Sequence, residues 1–229
     1  MFITTFLCLP IALMPECRYD SRIYHKFVSG CSYLIFFFNS IKYKIQGKNN
    51  LLYFSSHPAI YIANHSSSLD IPMLEIILQD QPKVWISKTS YTKIPLFGFI
   101  LKRMHVVIDR DNLFSIKKVL SHALKLTENK KRHLLIFPEG RRFSDGKIHT
   151  IFPGFAVLAE KLNRPVVPIA IYGLNKLLPK NNLCIDSDAG AAKITVGNPI
   201  MRSDFATREE FIQHIQEWFE AELTKLQKE

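Results

Sequence analysis

Apolar residues in this chain fall into short runs separated by polar stretches, and the spacing within the runs is of two kinds. Uninterrupted or alternating apolar runs at residues 59–62, 84–87, 106–108, 134–137, 166–172 and 192–196 are strand-length and read as buried strands. Between them the period changes. Leu113, Ile116, Val119, Leu120, Ala123, Leu124 and Leu126 recur at helical spacing with lysines between them. Residues 70–78 read as a helix with Pro72 in its first turn, where a missing N–H costs nothing. Residues 94–104, which contain Pro95 and Gly98, read as a short helix, and 155–162 as another. A closing amphipathic helix at 209–226 places Ile212, Ile215, Phe219, Leu223 and Leu226 on one face, flanked by Phe211 and Trp218. Alternation of strand and helix predicts an α/β fold: a mostly parallel or mixed central sheet flanked by helices.

The first residues break this pattern. Within residues 1–14 the only polar side chains are Thr4 and Thr5. A charged stretch follows, with Glu16, Arg18, Asp20, Arg22 and Lys26, and then a second apolar run at 27–38. Each run is shorter than the ~20 apolar residues a spanning helix needs. No basic residue precedes the first run and no small-x-small site follows it, so a secretory signal fits poorly. Two short helices that dip into one leaflet and return fit better; two core-packing helices are the alternative. Lys42, Lys44 and Lys48 come next and suit an anionic cytoplasmic leaflet. The expected organisation is a two-helix membrane-associating motif with a basic connector at 1–48, then an α/β domain at 49–229.

Composition sharpens this picture at two points. Hydrophobic residues make up 47% of the 229 positions and charged residues 22%, which excludes a disordered chain. The formal charge of +10 calls for an anionic partner: nucleic acid, a phosphorylated small molecule or an anionic membrane. No basic–aromatic interleaving or recognition module supports nucleic acid. The cysteines Cys8, Cys17, Cys31 and Cys184 form no CxxC pair, so a zinc ribbon or redox motif is not expected, and the body reads as reduced. Cys184 and Trp85 are expected in the interior.

Candidate chemistry sits where strands end. Asn64-His65-Ser66-Ser67-Ser68-Leu69-Asp70 links a strand to a helix. A histidine five residues before an aspartate can curl back so that the carboxylate accepts the Nδ1 proton, leaving Nε2 as a base. The same residues, as Ser67-x-x-Asp70, also read as a helix-start signal. No GxSxG elbow supplies a nucleophile, so the base would act on a substrate hydroxyl. Phe137-Pro138-Glu139-Gly140-Arg141-Arg142 leaves another strand, with a glycine that permits unusual backbone geometry and two arginines suited to phosphate. Arg110 leaves a third strand. If these strands are neighbours, Arg110 and Arg142 converge near His65.

Four blocks in order resemble the glycerolipid acyltransferases, closest to the 1-acyl-sn-glycerol-3-phosphate (lysophosphatidic acid) acyltransferases. They are Asn64–Asp70 as NHxxxxD; Lys88 through Ile94-Pro95, Gly98 and Asp109-Arg110; Phe137–Arg142 as FPEGTR; and Val166-Val167-Pro168-Ile169. Arg141 stands where that family has Thr. The resemblance implies that His65 is the base and Asp70 its partner. It implies an acceptor-phosphate site of Arg110, Glu139, Gly140 and Arg142, with Lys88 of the second block also in the substrate-binding set. It further implies acyl transfer from a thioester of coenzyme A or acyl carrier protein to the free hydroxyl of a lysophospholipid, most simply 1-acyl-glycerol-3-phosphate. The product would be phosphatidic acid, in phospholipid biosynthesis. No metal or resident cofactor is expected, and the partners are the two substrates and an anionic membrane surface on the cytoplasmic side, with the protein monotopic. A different lysolipid head group, a lipid hydrolase using the same His–Asp pair, and a non-catalytic membrane scaffold are the rival readings.

Overall fold

The computed structural model describes residues 20–52, 57–93, 97–108, 113–127, 132–180, 182 and 184–229. The first apolar run, Cys8, Cys17, Ile94-Pro95 and Asp109-Arg110 lie outside the described residues. The described chain runs α1 (Arg22–Phe38), β1 (Tyr43–Gln46), α2 (Asn49–Leu52), β2 (Ile60–Ala63), α3 (Asp70–Leu78), β3 (Lys83–Lys88), α4 (Phe97–Met104), β4 (Val106–Ile108), α5 (Leu113–Thr127) and β5 (His133–Ile136). It continues with α6 (Gly154–Leu162), β6 (Val166–Tyr172), α7 (Leu174–Leu177), β7 (Ala192–Val196) and α8 (Arg208–Lys228).

The strands form one seven-stranded sheet in the order β1-β7-β6-β2-β5-β3-β4. β6, β2, β5, β3 and β4 are mutually parallel, and β7 turns antiparallel to β6 and carries β1 parallel to itself. The expected mixed sheet with helices on its faces is therefore the observed one. Side-chain alternation splits each central strand between two cores, which is why these strands read as continuous apolar runs. Tyr61 and Ala63 of β2 join Leu135, Val167 and Ile169 on one face, together with α3 and α7. Ile60 and Ile62 join Leu134, Val166 and Ala170 on the other, together with α6 and α8.

α8 starts at a capping box: the Glu210 N–H donates to Thr207 Oγ1 at 3.1 Å, and the Thr207 N–H donates to Glu210 Oε2 at 3.2 Å. Its buried stripe is Phe211, Ile215, Phe219, Leu223 and Leu226. Phe211 thus occupies the centre of the face and Ile212 its flank, because a four-residue step from Phe211 reaches Ile215 and Phe219 directly.

Two features depart from the expected layout. The second apolar run is the end of a longer helix, α1, which packs along α3 through Tyr24, His25, Cys31, Ser32 and Phe36. Its other face exposes Ile23, Phe27, Tyr33, Leu34, Phe37 and Phe38. The stretch expected to be a basic connector contributes β1, in register with β7 from Tyr43↔Ala192 to Gln46↔Thr195. Tyr-Lys-Ile-Gln does alternate, but four residues are too few for a period-two signal to stand out. Cys184 is exposed rather than buried. Among the described residues no helix is long and apolar enough to cross a membrane.

The edge of the sheet opposite the strand carboxyl ends holds buried charge. Glu75 on α3 accepts from Lys83 Nζ at 2.7 Å and from Trp85 Nε1 at 2.8 Å. Burial pushes the Glu75 carboxyl up, but Lys83, His25 and the Trp85 N–H outweigh it and hold the pKa below the ordinary value. His133 accepts the Ala59 N–H at 3.0 Å, and burial among Lys83 and Arg164 holds it neutral, with its pKa lowered to about 3. Lys83→Met would leave the Glu75 carboxylate buried without its counter-charge. The expected loss is about 3–5 kcal/mol of stability, measured by urea denaturation, with Lys83→Met/Glu75→Leu recovering most of it.

Candidate active site

The loop after β2 is built by side chains that substitute for backbone. Asn64 is buried, and its amide engages both polar groups of one residue on the neighbouring strand: Nδ2 donates to the Ile171 carbonyl and Oδ1 accepts the Ile171 N–H, both at 2.8 Å. This extends the β2–β6 pairing by one residue and fixes where the chain leaves the sheet. Asp70, the first residue of α3, has no solvent exposure. Its Oδ2 accepts the Ser66 N–H at 2.7 Å, the Ser67 N–H at 2.8 Å and a bond from His65 Nδ1 at 2.8 Å. The carboxylate is thus turned back into the loop, as the spacing predicts. The helix-start reading of Ser67 is realised in part: Leu69, the residue before α3, gives no side-chain cap, but Asp70 accepts the Ser67 N–H, and Ser67 Oγ accepts the Leu69 N–H at 3.3 Å while donating to the Leu178 carbonyl at 2.9 Å.

The His65 ring lies flat on Phe137, with centroids 4.0 Å apart and planes at 12°. Asp70 holds one ring nitrogen and Phe137 one face. Nε2 is the nitrogen available to a substrate, and the side chain keeps 14% exposure to reach one. This is the arrangement of a histidine general base with its tautomer set by a buried carboxylate.

β5 is the immediate neighbour of β2, so its exit turn lies beside this loop. Gly140 has φ 79°, and its N–H closes the turn on the Phe137 carbonyl at 3.1 Å. Arg142 Nη1 donates to Ser68 Oγ, which puts a guanidinium on the histidine loop. Arg141 points elsewhere, over the Phe143 ring at 5.2 Å. Glu139 is 2% exposed, with Oε2 accepting the His65 N–H at 2.8 Å and Oε1 accepting the His149 N–H at 3.0 Å. Burial pushes its pKa up to about 7 against the lowering effect of those two N–H groups.

The structure thus brings together His65, Asp70, Glu139, Gly140 and Arg142. Lys88 closes β3, where its backbone pairs with Ile108 of β4. β4 is the edge strand, separated from β5 by β3, so the strand before Arg110 does not adjoin β2 or β5. Phe143 and His149 are not singled out by the sequence, and Phe137 is read there only as the start of its block, not as a partner of the His65 ring. Phe143 donates its N–H to the His65 carbonyl at 2.9 Å, and its ring stacks on His149 at 3.7 Å. Nothing in their spacing marks them, since Phe137 and Phe143 meet His65 only across the fold. The N–H groups of His65, Ser66, Ser67 and Gly140 are all engaged within the fold.

Residues 42–172 match the family model described as Acyltransferase. A chloroplastic 1-acyl-sn-glycerol-3-phosphate acyltransferase of Brassica napus is 32% identical over 80% of this chain and 52% of its own length. One from Cocos nucifera is 34% identical over 73% of this chain and 53% of its own. The chain spans about half the length of these curated relatives. Among solved structures, the 1-acyl-sn-glycerophosphate acyltransferase of Thermotoga maritima superposes with a TM-score of 0.75 at 22% identity, over 91% of this chain and 82% of the other. At that identity the likeness concerns the fold.

The turn that carries Glu139 and Arg142 depends on the left-handed backbone of Gly140. Gly140→Ala should lower stability by about 1–2 kcal/mol, read as a reduced melting temperature.

Proposed function

This chain belongs to the acyltransferase family, and from that premise we propose that it transfers an acyl chain from a thioester donor to the free hydroxyl of a lysophospholipid. The observation that carries the reading is the His65–Asp70 pair, 2.8 Å apart, with the carboxylate fully buried. His65 Nε2 takes the hydroxyl proton as the acceptor oxygen attacks the thioester carbonyl. Asp70 stabilises the imidazolium that results. The tetrahedral intermediate collapses by breaking the C–S bond, and the imidazolium returns its proton to the departing thiolate. The acceptor is 1-acyl-glycerol-3-phosphate, the substrate in the names of the relatives, and the product is phosphatidic acid. Arg142 supplies a cation for its phosphate, set beside the base by the contact with Ser68. Lys88 and Arg110 are proposed to complete the substrate site. The donor is acyl-CoA or acyl carrier protein.

The membrane is the second half of the proposal. α1 is apolar on both sides. One stripe is covered by α3, and the other presents Ile23 at 82%, Phe37 at 65% and Phe38 at 76% exposure. A helix with this outer face, followed by Lys42, Lys44 and Lys48, suits an anionic bilayer surface. A protein lying there takes its acceptor sideways, without drawing an acyl chain into water at ~0.8 kcal/mol per CH₂.

Purified protein given labelled acyl donor and a panel of lysophospholipids, read by mass spectrometry, tests the reaction. His65→Ala and Asp70→Asn should each lower turnover on the order of 10²–10⁴-fold with the fold retained. Arg142→Ala should raise KM for the phosphorylated acceptor about ten- to a hundredfold and leave the donor KM near normal, with Arg142→Lys rescuing only in part. No turnover by the wild type would replace this reading with a scaffold, acyl release without an acceptor would replace it with a hydrolase, and turnover by folded His65→Ala would remove His65 as the base. Phe37→Glu/Phe38→Glu touches only the exposed face of α1. It should weaken sedimentation with anionic vesicles while activity on a short-chain soluble acceptor persists. Unaltered vesicle binding would remove α1 from the membrane surface.

A further inference from the structure

We infer that Glu139 is a positioning residue for the general base rather than a ligand of the acceptor phosphate. The inference rests on His65 being that base. Three residues of one short segment grip His65 from different sides. Phe137 stacks on its ring at 4.0 Å, the Glu139 carboxylate accepts its backbone N–H at 2.8 Å, and Phe143 donates to its carbonyl at 2.9 Å. Asp70 holds Nδ1 but lies on the same loop as His65, so it orients the ring within that loop and cannot fix the loop against the sheet. Glu139 can, because it leaves the neighbouring strand β5 and spans two loops. Its other oxygen takes the His149 N–H at 3.0 Å, which anchors the far side of the segment that carries Arg141, Arg142 and Phe143.

Both carboxylate oxygens are therefore occupied, and the side chain is 2% exposed. A phosphate arriving at Arg142 would meet no free group there, and the buried negative charge would repel it. The role requires an ionised carboxylate, because only that form presents an acceptor at each oxygen. The titratable and charged groups around it are His65 and Asp70 on the loop after β2, His149 with its 2.9 Å partner Asp145 on the loop after β5, and Arg141 and Arg142, which follow Gly140. Desolvation raises the Glu139 pKa to about 7, with Asp70 adding to the rise and His149 opposing it. The carboxylate therefore takes up its proton within the working range of an imidazole base. A protonated Glu139 donates at one oxygen, where it faces an N–H, and the loop loses one of its two ties.

The test is the acid limb of kcat against pH, with Glu139→Gln and Glu139→Asp beside the wild type. The wild-type limb should follow two protons, one on His65 and one on Glu139. Glu139→Gln places an amide NH₂ against one of the two backbone donors. It should lower kcat about ten- to a hundredfold, leave the acceptor KM within about threefold, and reduce the limb to one proton. Glu139→Asp keeps the charge but is one methylene short of spanning both loops, so it should not restore kcat. A rise in acceptor KM with kcat preserved in Glu139→Gln would make Glu139 a phosphate-site residue and overturn the inference. So would wild-type kcat in folded Glu139→Asp, whose side chain is too short to span both loops. Activity retained by folded His65→Ala would instead defeat the general-base reading itself, so the two failures are distinguishable.

Discussion

The Oδ2 atom of Asp70 organises the site. A carboxylate with no solvent exposure must find charge-assisted partners, and this one finds them within the five residues before it: the N–H groups of Ser66 and Ser67 and the Nδ1 of His65. Those three bonds draw the loop into a tight coil at the start of α3. The negative charge also sits at the positive end of that helix, where the macrodipole favours it. Satisfying that one oxygen therefore selects the loop shape, the histidine tautomer and the ring nitrogen left open.

A coil of this kind must still be attached to the sheet, and topology supplies the attachments. β2 lies between β6 and β5 and runs parallel to both, so all three release their chains at the same edge. β6 holds the loop through the Asn64 amide on Ile171. β5 holds it through the segment from Phe137 to Phe143, which meets the ring, N–H and carbonyl of His65. The base is thus referenced to two neighbouring strands. A general base acts only within hydrogen-bond reach of the proton it removes, so this double reference is the mechanical requirement of the proposed chemistry.

Polarity is distributed along the sheet to match. The carboxyl edge carries the guanidinium of Arg142 on a half-exposed turn. The opposite edge holds internally compensated charge, Glu75 with Lys83, and histidines kept neutral as acceptors of backbone N–H groups. α1 joins these regions to the surface: its inner stripe seals α3, and its outer stripe remains apolar. The second apolar run, which the sequence allows as either a membrane helix or a core helix, does pack on the core through one face and leaves apolar side chains exposed on the other.

Periodicity marks most of the strands and helices of this chain, because burial on a pleated strand repeats every two residues and on a helix every 3.6. Those periods are local, and so is the five-residue reach from His65 to Asp70, which is why the dyad is legible from spacing alone. β1 escapes such a reading, since four alternating residues in a lysine-rich stretch carry little period. Phe211 reads as the flank of its helix face for a related reason: a stripe drifts around the axis, and its centre is decided by what it packs against. Strand order, by contrast, appears in no local pattern. Only the tertiary structure could place β5 beside β2 while leaving β4 at the edge, and so separate the turn that carries Arg142 from the strand that precedes Arg110. It alone showed Glu139 spending both oxygens on backbone N–H groups, one of them 74 residues away in the chain. A side chain whose partner is a distant peptide leaves no trace in spacing, because a backbone N–H is the same at every position until the fold brings one within reach.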